Sequence, residues 1–151
     1  MDTETRKTNG RNIGYPGKEH DVKSQKAMKI AGERAEWKNF GKADEVRTFP
    51  KGKVELIHIG GAVIGKATLE PGWKWSTCVQ PIAKTKSCEA AHFQYHVGGT
   101  IHIVMDDGTE LTCKAGDVSL LPIGHDAWVV GDEPVVLIDF QGMKDYARKG
   151  K

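Results

Sequence analysis

A chain of 151 residues is long enough for one globular domain with a core and short terminal extensions. A hydrophobic fraction of 38% and a charged fraction of 28% are typical of a globular protein, and a net charge of +2 is too small to predict a nucleic acid or an anionic membrane as partner. The apolar runs have strand length, well short of the roughly 20 residues of a membrane-spanning helix. The N-terminus has no apolar segment after its first charges, so we expect a cytoplasmic protein.

The two ends of the chain differ in composition from its middle. Residues 1–50 are polar, without sustained alternation, and predict an extension that is partly ordered or wrapped on the domain. Residues 143–151 predict a basic C-terminal tail. The domain itself is expected at 51–142.

Within 51–142 the sequence predicts short strands separated by glycine and proline. "VELIHI" and "AVIGKATL" flank Gly60 and Gly61, a hairpin signal, and Pro71 and Gly72 precede the expected strand "WKWSTCV". Further expected strands are "HFQYHV", "IHIVM", "TELTC", "DVSLL", "AWVV" and "PVVLIDF". This pattern predicts an all-β sandwich or barrel without an internal helix.

The three cysteines are expected to be free thiols. Cys78, Cys88 and Cys113 have spacings that match no common zinc motif, and an odd number cannot pair completely. For Cys88 and Cys113 the simplest interpretation is a place in the core.

The spacing of turn residues from residue 72 to residue 131 resembles that of the cupin family. The first cupin signature is a glycine, five residues, His-x-His, a short gap, Glu, six residues and a glycine. The second is a glycine, five residues, Pro-x-Gly, two residues, His, three residues and Asn. The corresponding positions here are Gly72, Cys78, Val79, Gln80, His92 and Gly99, then Gly116, Pro122, Gly124, Ala127 and Gly131. The resemblance implies a jelly-roll β-barrel, extending over roughly residues 54–140.

The positions that bind a divalent metal in cupins carry different residues in this chain. Cys78, Gln80, His92 and Ala127 stand where the family has His, His, Glu and His. The gap before His92 is also lengthened by an insertion containing "IAKTKSCEAA". The resemblance therefore does not by itself assign a metal site to this chain.

The strand "HFQYHV" has two possible orientations. Alternate residues share a face, so His92, Gln94 and His96 point one way and the residues between them point the other. Hydrophobic patterning alone favours the aromatic face as the core face. The resemblance implies the reverse, because the position of His92 faces the interior in cupins. We adopt this inward orientation. It leaves the residues between the three polar ones as an exposed apolar row, and such a row is usually covered by a partner, so we predict a homodimer.

His125 follows the Pro-x-Gly turn, two residues before the usual ligand position. With His92 and Cys78 it would supply two imidazoles and a thiolate. This set suits Zn, Ni, Fe or Cu better than Mg or Ca, and we keep Mn among the candidate divalent transition metals. Three protein ligands would leave a position for water or substrate. The alternative is that His125 bonds a turn carbonyl and binds no metal.

The expected pocket is small, polar and centred on His92. Its candidate ligand-binding residues are Gln80, Gln94, His96, Trp75 and Trp128. Indoles at a barrel mouth can stack on a planar molecule, although tryptophans are also common in cores and dimer contacts.

Three function classes stay open at this point. The first is a metal-dependent enzyme, such as a dioxygenase, isomerase or lyase, that acts on a small molecule. The second is a metal-free module that binds or senses a small molecule, and the third is a dimeric interaction protein without catalytic activity. The fold cannot separate these classes, because one barrel hosts many chemistries.

Overall fold

Residues 34–150 are described by a computed structural model. The expectation of a polar extension falls largely on residues 1–33, which lie outside the described residues. Residues 34–44 contain no strand, and their regular structure is a 3-10 turn at Phe40–Lys42.

Nine strands and two single helical turns follow. The strands are β1 Glu45–Phe49, β2 Gly52–Ile59, β3 Ala62–Leu69, β4 His92–Gly98, β5 Thr100–Met105, β6 Glu110–Lys114, β7 Val118–Leu121, β8 His125–Val130 and β9 Val135–Asp139. The helical turns are α1 Trp75–Cys78 and α2 Gln80–Ala83. The helices among the described residues are too short and too polar to cross a membrane.

The strands form two antiparallel sheets around one core. The larger sheet has the order β1-β2-β3-β9-β4-β7, and the smaller has the order β6-β5-β8. Inward residues of both sheets belong to a single hydrophobic cluster, so the sheets face each other across it. The predicted all-β jelly-roll fold is confirmed.

Two local predictions differ from the structure. The stretch "WKWSTCV", expected to be a strand, contains a helical turn. Within it only Lys74 pairs with a strand residue, Trp128. The backbone N–H groups of Cys78 and Val79 then donate to the carbonyl oxygens of Lys74 and Trp75, as in a helix. A strand at 45–49 lies inside the stretch expected to be irregular, and it pairs with β2 over five residues.

The C-terminal segment, residues 140–148, packs over the site end of the domain. Met143 and Ala147 of the expected tail are buried. The guanidinium of Arg47 donates to the carbonyl oxygens of Met143, Lys144 and Tyr146 at 3.2, 2.8 and 2.7 Å. Gly142 has a φ of +96° and no room for a Cβ, which would collide with the carbonyl oxygen of Ala91. Arg47 of β1 therefore holds the segment in place, and Gly142 lets it pass close to the start of β4.

Candidate metal centre

Three side chains with metal-binding atoms meet inside the domain. The thiol of Cys88 and ring nitrogens of His92 and His125 lie within 4.8 Å of one another, and all three residues are buried. His92 begins β4 in the large sheet and His125 begins β8 in the small sheet. The cluster therefore bridges the two sheets.

Cys88 reaches the cluster because its loop pairs with β8. Its N–H donates to the carbonyl oxygen of His125 at 2.9 Å, and its own carbonyl accepts from Gly124 N at 2.7 Å. The loop before it is supported by the Gln80 amide, which donates to the carbonyl oxygens of Thr85 and Lys86 at 3.0 and 3.1 Å. The insertion that lengthens the cupin pattern therefore places Sγ of Cys88 in the cluster.

Both histidines are oriented by partners on Nδ1. Nδ1 of His92 lies 2.5 Å from Oδ2 of Asp139, and Nδ1 of His125 lies 3.0 Å from the carbonyl oxygen of Pro122. Both partners accept, so each Nδ1 carries the proton. Nε2 of His92 lies 3.6 Å from Sγ of Cys88. With Nδ1 held in this way, Nε2 is the nitrogen left for a metal, which would displace any proton that Nε2 carries.

Asp139 organises the site without joining the cluster. Its side chain is fully buried at the end of β9. Besides His92 it accepts hydrogen bonds from the Gln94 amide at 3.2 Å and from the backbone N–H of Gln141 at 2.9 Å. Its carboxylate is therefore well satisfied despite burial.

Opposite charges are stabilised on Cys88 and His92. Burial opposes ionisation of Cys88, but hydrogen bonds from His125 and His92 and their charges outweigh it and lower the pKa of the thiol to about 6. Burial likewise disfavours a charged His92, but hydrogen bonds to Asp139 and Cys88 and the charge of Asp139 raise the pKa of the imidazole to about 9. The site favours a thiolate, which is the form of cysteine that binds metal.

The spacing of one donor pair, Cys88 and His92, fits a tetrahedral metal ion. With Zn–S near 2.3 Å and Zn–N near 2.0–2.1 Å, a sulfur and a nitrogen at two corners of a tetrahedron lie about 3.5 Å apart. Sγ of Cys88 and Nε2 of His92 lie 3.6 Å apart. This pair therefore has the spacing of two ligands of a tetrahedral metal, and the three donors, which lie within 4.8 Å of one another, would leave one position for water or substrate.

The cluster faces a small inner cavity of about 40 Å³. Most of its lining is apolar, and its polar members outside the cluster include Gln94 and Trp73. The indole Nε1 of Trp73 is buried and has no hydrogen-bond partner among the residues described. At roughly 10–15 Å³ for each water, the cavity has space for about three or four.

The structure brings together some of the predicted site residues. His92 and His125 meet, and Gln94 and Trp75 line the inner cavity beside them. The cysteine that joins them is Cys88, not Cys78, whose thiol instead lies 3.6 Å from Oγ1 of Thr77 in α1.

Three predicted ligand-binding residues lie away from the inner cavity. Gln80 supports the loop that carries Cys88. Nε2 of His96 lies 2.9 Å from Oγ of Ser119, deep in the core. Trp128 packs against the ring of His102 at 4.8 Å and under the ammonium of Lys74 at 5.1 Å. Each of these side chains already has structural partners.

The face of β4 was predicted correctly. His92, Gln94 and His96 are buried, whereas Phe93, Tyr95 and Val97 are 44–48% exposed. Asp139 was missed, although the sequence holds a signal for it: Val135, Leu137 and Asp139 share one face of "PVVLIDF", so an inward face predicts a buried carboxylate. For Cys88 the sequence holds no comparable signal, because its position depends on the path of a loop.

Together, the two antiparallel sheets and the inward polar cluster define a cupin-type fold, as the resemblance in the sequence implies. No protein-family model and no curated protein matches the sequence.

Solved structures resemble the chain at low sequence identity. One, of a protein of unknown function from Rhizobium leguminosarum, has a TM-score of 0.52 and 13% identity over 72% of this chain and 98% of that chain. A cupin-like protein from Thermotoga maritima has a TM-score of 0.44 and 16% identity, covering 62% and 69%. A variant of Bacillus subtilis oxalate decarboxylase has a TM-score of 0.43 and 23% identity, covering 61% and 26%. At these identities the likeness concerns the fold alone.

Proposed function

We propose that this chain is a cupin-type metalloprotein that holds one divalent transition metal at Cys88, His92 and His125 and acts on or senses a small molecule there. The observation that carries the proposal is the meeting of Cys88, His92 and His125, with Nδ1 of the two imidazoles held by Asp139 and by Pro122 O so that Nε2 is left for a metal, which would displace any proton there. A sulfur and two nitrogens favour Zn, Ni, Fe or Cu over oxygen-preferring metals such as Mn.

The residues around the centre have separable roles. A bound metal would act there as a Lewis acid toward a small ligand. Asp139 keeps a proton on Nδ1 of His92 and holds the Gln94 amide, whose side chain lines the inner cavity. Ile101, Ile103 and Leu121 give the cavity a buried apolar lining.

Elemental analysis of purified protein tests this proposal. We expect close to one transition metal per chain in the parent and none in Cys88→Ser. Cys78→Ser is the matched control, because it removes another buried thiol outside the cluster. Loading with Co²⁺ should give a sulfur-to-metal charge-transfer band that is absent in Cys88→Ser. Equal metal content in the two variants would contradict the proposal.

The alternative function is a metal-free binding or dimeric interaction module. It is favoured by an apolar outer face, defined as Phe93, Tyr95 and Val97 on β4 with Val118 and Leu120 on the neighbouring strand β7. Leu120 and Val118 are 70% and 64% exposed, and β7 is an edge strand. Two copies can pair edge strands antiparallel about a two-fold axis, so we propose a homodimer through this face.

We also propose a cytoplasmic location, which suits three free thiols.

Sedimentation velocity tests the homodimer. We expect a dimer for the parent and a monomer for Leu120→Lys, because the charge would be buried in the apolar contact. Leu111→Lys on β6 is the control, since Leu111 is exposed but lies on the other sheet. A monomeric parent would rule the homodimer out.

A further inference from the structure

The C-terminal segment supplies part of the wall around the candidate metal centre. Met143 and Tyr146 line the inner cavity together with the three members of the cluster. The ring of Tyr146 packs edge-on to the ring of His92, with centroids 5.8 Å apart, and Met143 is buried. Moving the segment away would therefore remove two of the side chains that cover the centre.

The segment is joined to the domain by few backbone hydrogen bonds. Its first residue is bonded to β4. Beyond that residue it makes two backbone–backbone hydrogen bonds with described residues, and both are internal: Tyr146 N donates to Met143 O at 3.3 Å, and Arg148 N donates to Asp145 O at 3.4 Å. A segment with so few backbone bonds to its surroundings opens more easily than a paired strand.

The other walls of the inner cavity are better anchored. Most of their residues belong to paired strands. Of the wall residues outside strands, Trp73 accepts a hydrogen bond from Val129 N at 3.0 Å, and Cys88 N donates to His125 O at 2.9 Å. Trp75 lies in α1, directly after a residue that pairs with β8. The C-terminal segment is therefore the part of the wall that can move without breaking a sheet.

One side chain, Arg47, fastens the segment to β1. Its terminal nitrogens donate to the carbonyl oxygens of Met143, Lys144 and Tyr146. Its Nε and one terminal nitrogen also donate to the carboxylate of Glu45, at 2.8 and 3.1 Å. These bonds use the five N–H donors of a guanidinium, and a lysine ammonium could not replace them. The guanidinium, oriented by Glu45, thus acts as a latch.

The opposite side of the segment faces open space. A cleft of about 470 Å³ lies between the segment and the two helical turns. Val79 and Ile82 line it on the side of the helical turns, and Lys144 and Ala147 line it on the side of the segment. The segment is therefore packed closely on one side only, which leaves it room to move.

We propose that residues 140–148 form a lid over the candidate metal centre, that Arg47 latches this lid, and that its opening admits solvent and small molecules to the centre. Arg47 and Glu45 act as positioning residues, because neither lines the inner cavity. The lid belongs to the chain with or without a metal, so the inference goes beyond the proposed function.

Alkylation of Cys88 by iodoacetamide tests the lid in chelator-treated protein at fixed pH. The thiol is buried, so the reagent reaches it only when the structure opens. Digestion after lysine and glutamate places the three thiols on separate peptides, which mass spectrometry can follow individually. Cys113, buried in β6, is an internal control that reports opening elsewhere in the domain.

Arg47→Ala should raise the alkylation rate of Cys88 more than about tenfold, because three hydrogen bonds from a charged donor are lost and even one neutral hydrogen bond accounts for about fivefold. The rate at Cys113 should stay at the parent value. Arg148→Ala is the matched control, since it removes an ion pair at 3.2 Å within the segment and leaves the latch intact, so both rates should be unchanged. An unchanged Cys88 rate in Arg47→Ala, or equal increases at both thiols, would overturn the proposal.

Two further variants keep the test decisive if Arg47→Ala does not fold. A Cβ at Gly142 would lie 2.1 Å from the carbonyl oxygen of Ala91, so Gly142→Ala should displace the lid without touching the latch and should also accelerate alkylation of Cys88. Arg47→Lys keeps the charge but has fewer donors, so its rate should exceed that of the parent. Parent rates in both variants would overturn the proposal.

The response of the parent to urea separates lid opening from global unfolding. Below the unfolding transition, urea should change the Cys88 rate only weakly, because opening the lid exposes little surface. A dependence as steep as that of global unfolding would overturn the proposal. Metal content, measured on the same preparations before chelation, reports separately on the proposed function.

Discussion

Two buried histidines on the same face of β4 have opposite charge preferences. His92 and His96 are 3% and 1% exposed and lie four residues apart on the inward side of one strand. The pKa of His92 is raised to about 9 although burial opposes its charge, whereas burial lowers the pKa of His96 below its ordinary value. His92 contacts a carboxylate, and His96 contacts the neutral hydroxyl of Ser119. The partner, rather than burial, thus decides which end of the strand holds a charged site.

The largest expected effect comes from breaking the His92–Asp139 pair. Asp139→Ala leaves His92 buried without its charged partner, so we expect a loss of about 3–5 kcal/mol in the free energy of unfolding. The conservative Asp139→Asn should fold better but hold metal about 10–100-fold more weakly, because the group that orients His92 is altered. Denaturant unfolding and chelator competition measure these two effects. A metal affinity unchanged by Asp139→Asn would show that the carboxylate does not support the centre.

A smaller effect is expected at the other end of the strand. Ser119→Ala removes the partner of His96 and leaves a buried ring nitrogen unsatisfied, which should cost about 1–3 kcal/mol. Metal content should stay at the parent level, because His96 does not line the inner cavity. Loss of metal in folded Ser119→Ala would show that the His96 end of β4 affects the metal centre at His92, against the independence of the two histidines.

The smallest effect is the pH dependence contributed by His96. Its folded-state pKa is lowered, so the unfolded chain binds the proton more readily, and stability should fall as the pH drops below about 6.5, the unfolded value. The slope from this one group cannot exceed about 1.4 kcal/mol per pH unit. His96→Gln should flatten the curve between pH 6.5 and pH 5 relative to the parent. An unchanged curve would place the acid sensitivity in other groups.

The predictability of the site differed from residue to residue. His92 and Gln94 were found because strand alternation places them on one face and the resemblance to cupins implied that this face points inward. His125 was found because it follows the Pro-x-Gly turn directly. Cys78 was favoured over Cys88 because it occupies a ligand position of the cupin pattern. In the structure, however, the chain near Cys78 is helical, and this thiol contacts Thr77.

The sequence by itself determined the class of fold, and its resemblance to cupins implied the inward polar face of β4. Alternation with a period of two, and turns that require glycine or proline, act over a few residues and are visible in one sequence. Only the tertiary structure decided which residues meet. Asp139 lies 47 positions from His92, and Cys88 lies in a loop that pairs with the distant start of β8. Such contacts depend on sheet order and loop path, which local patterns do not encode, and they turn isolated histidines into a candidate metal centre.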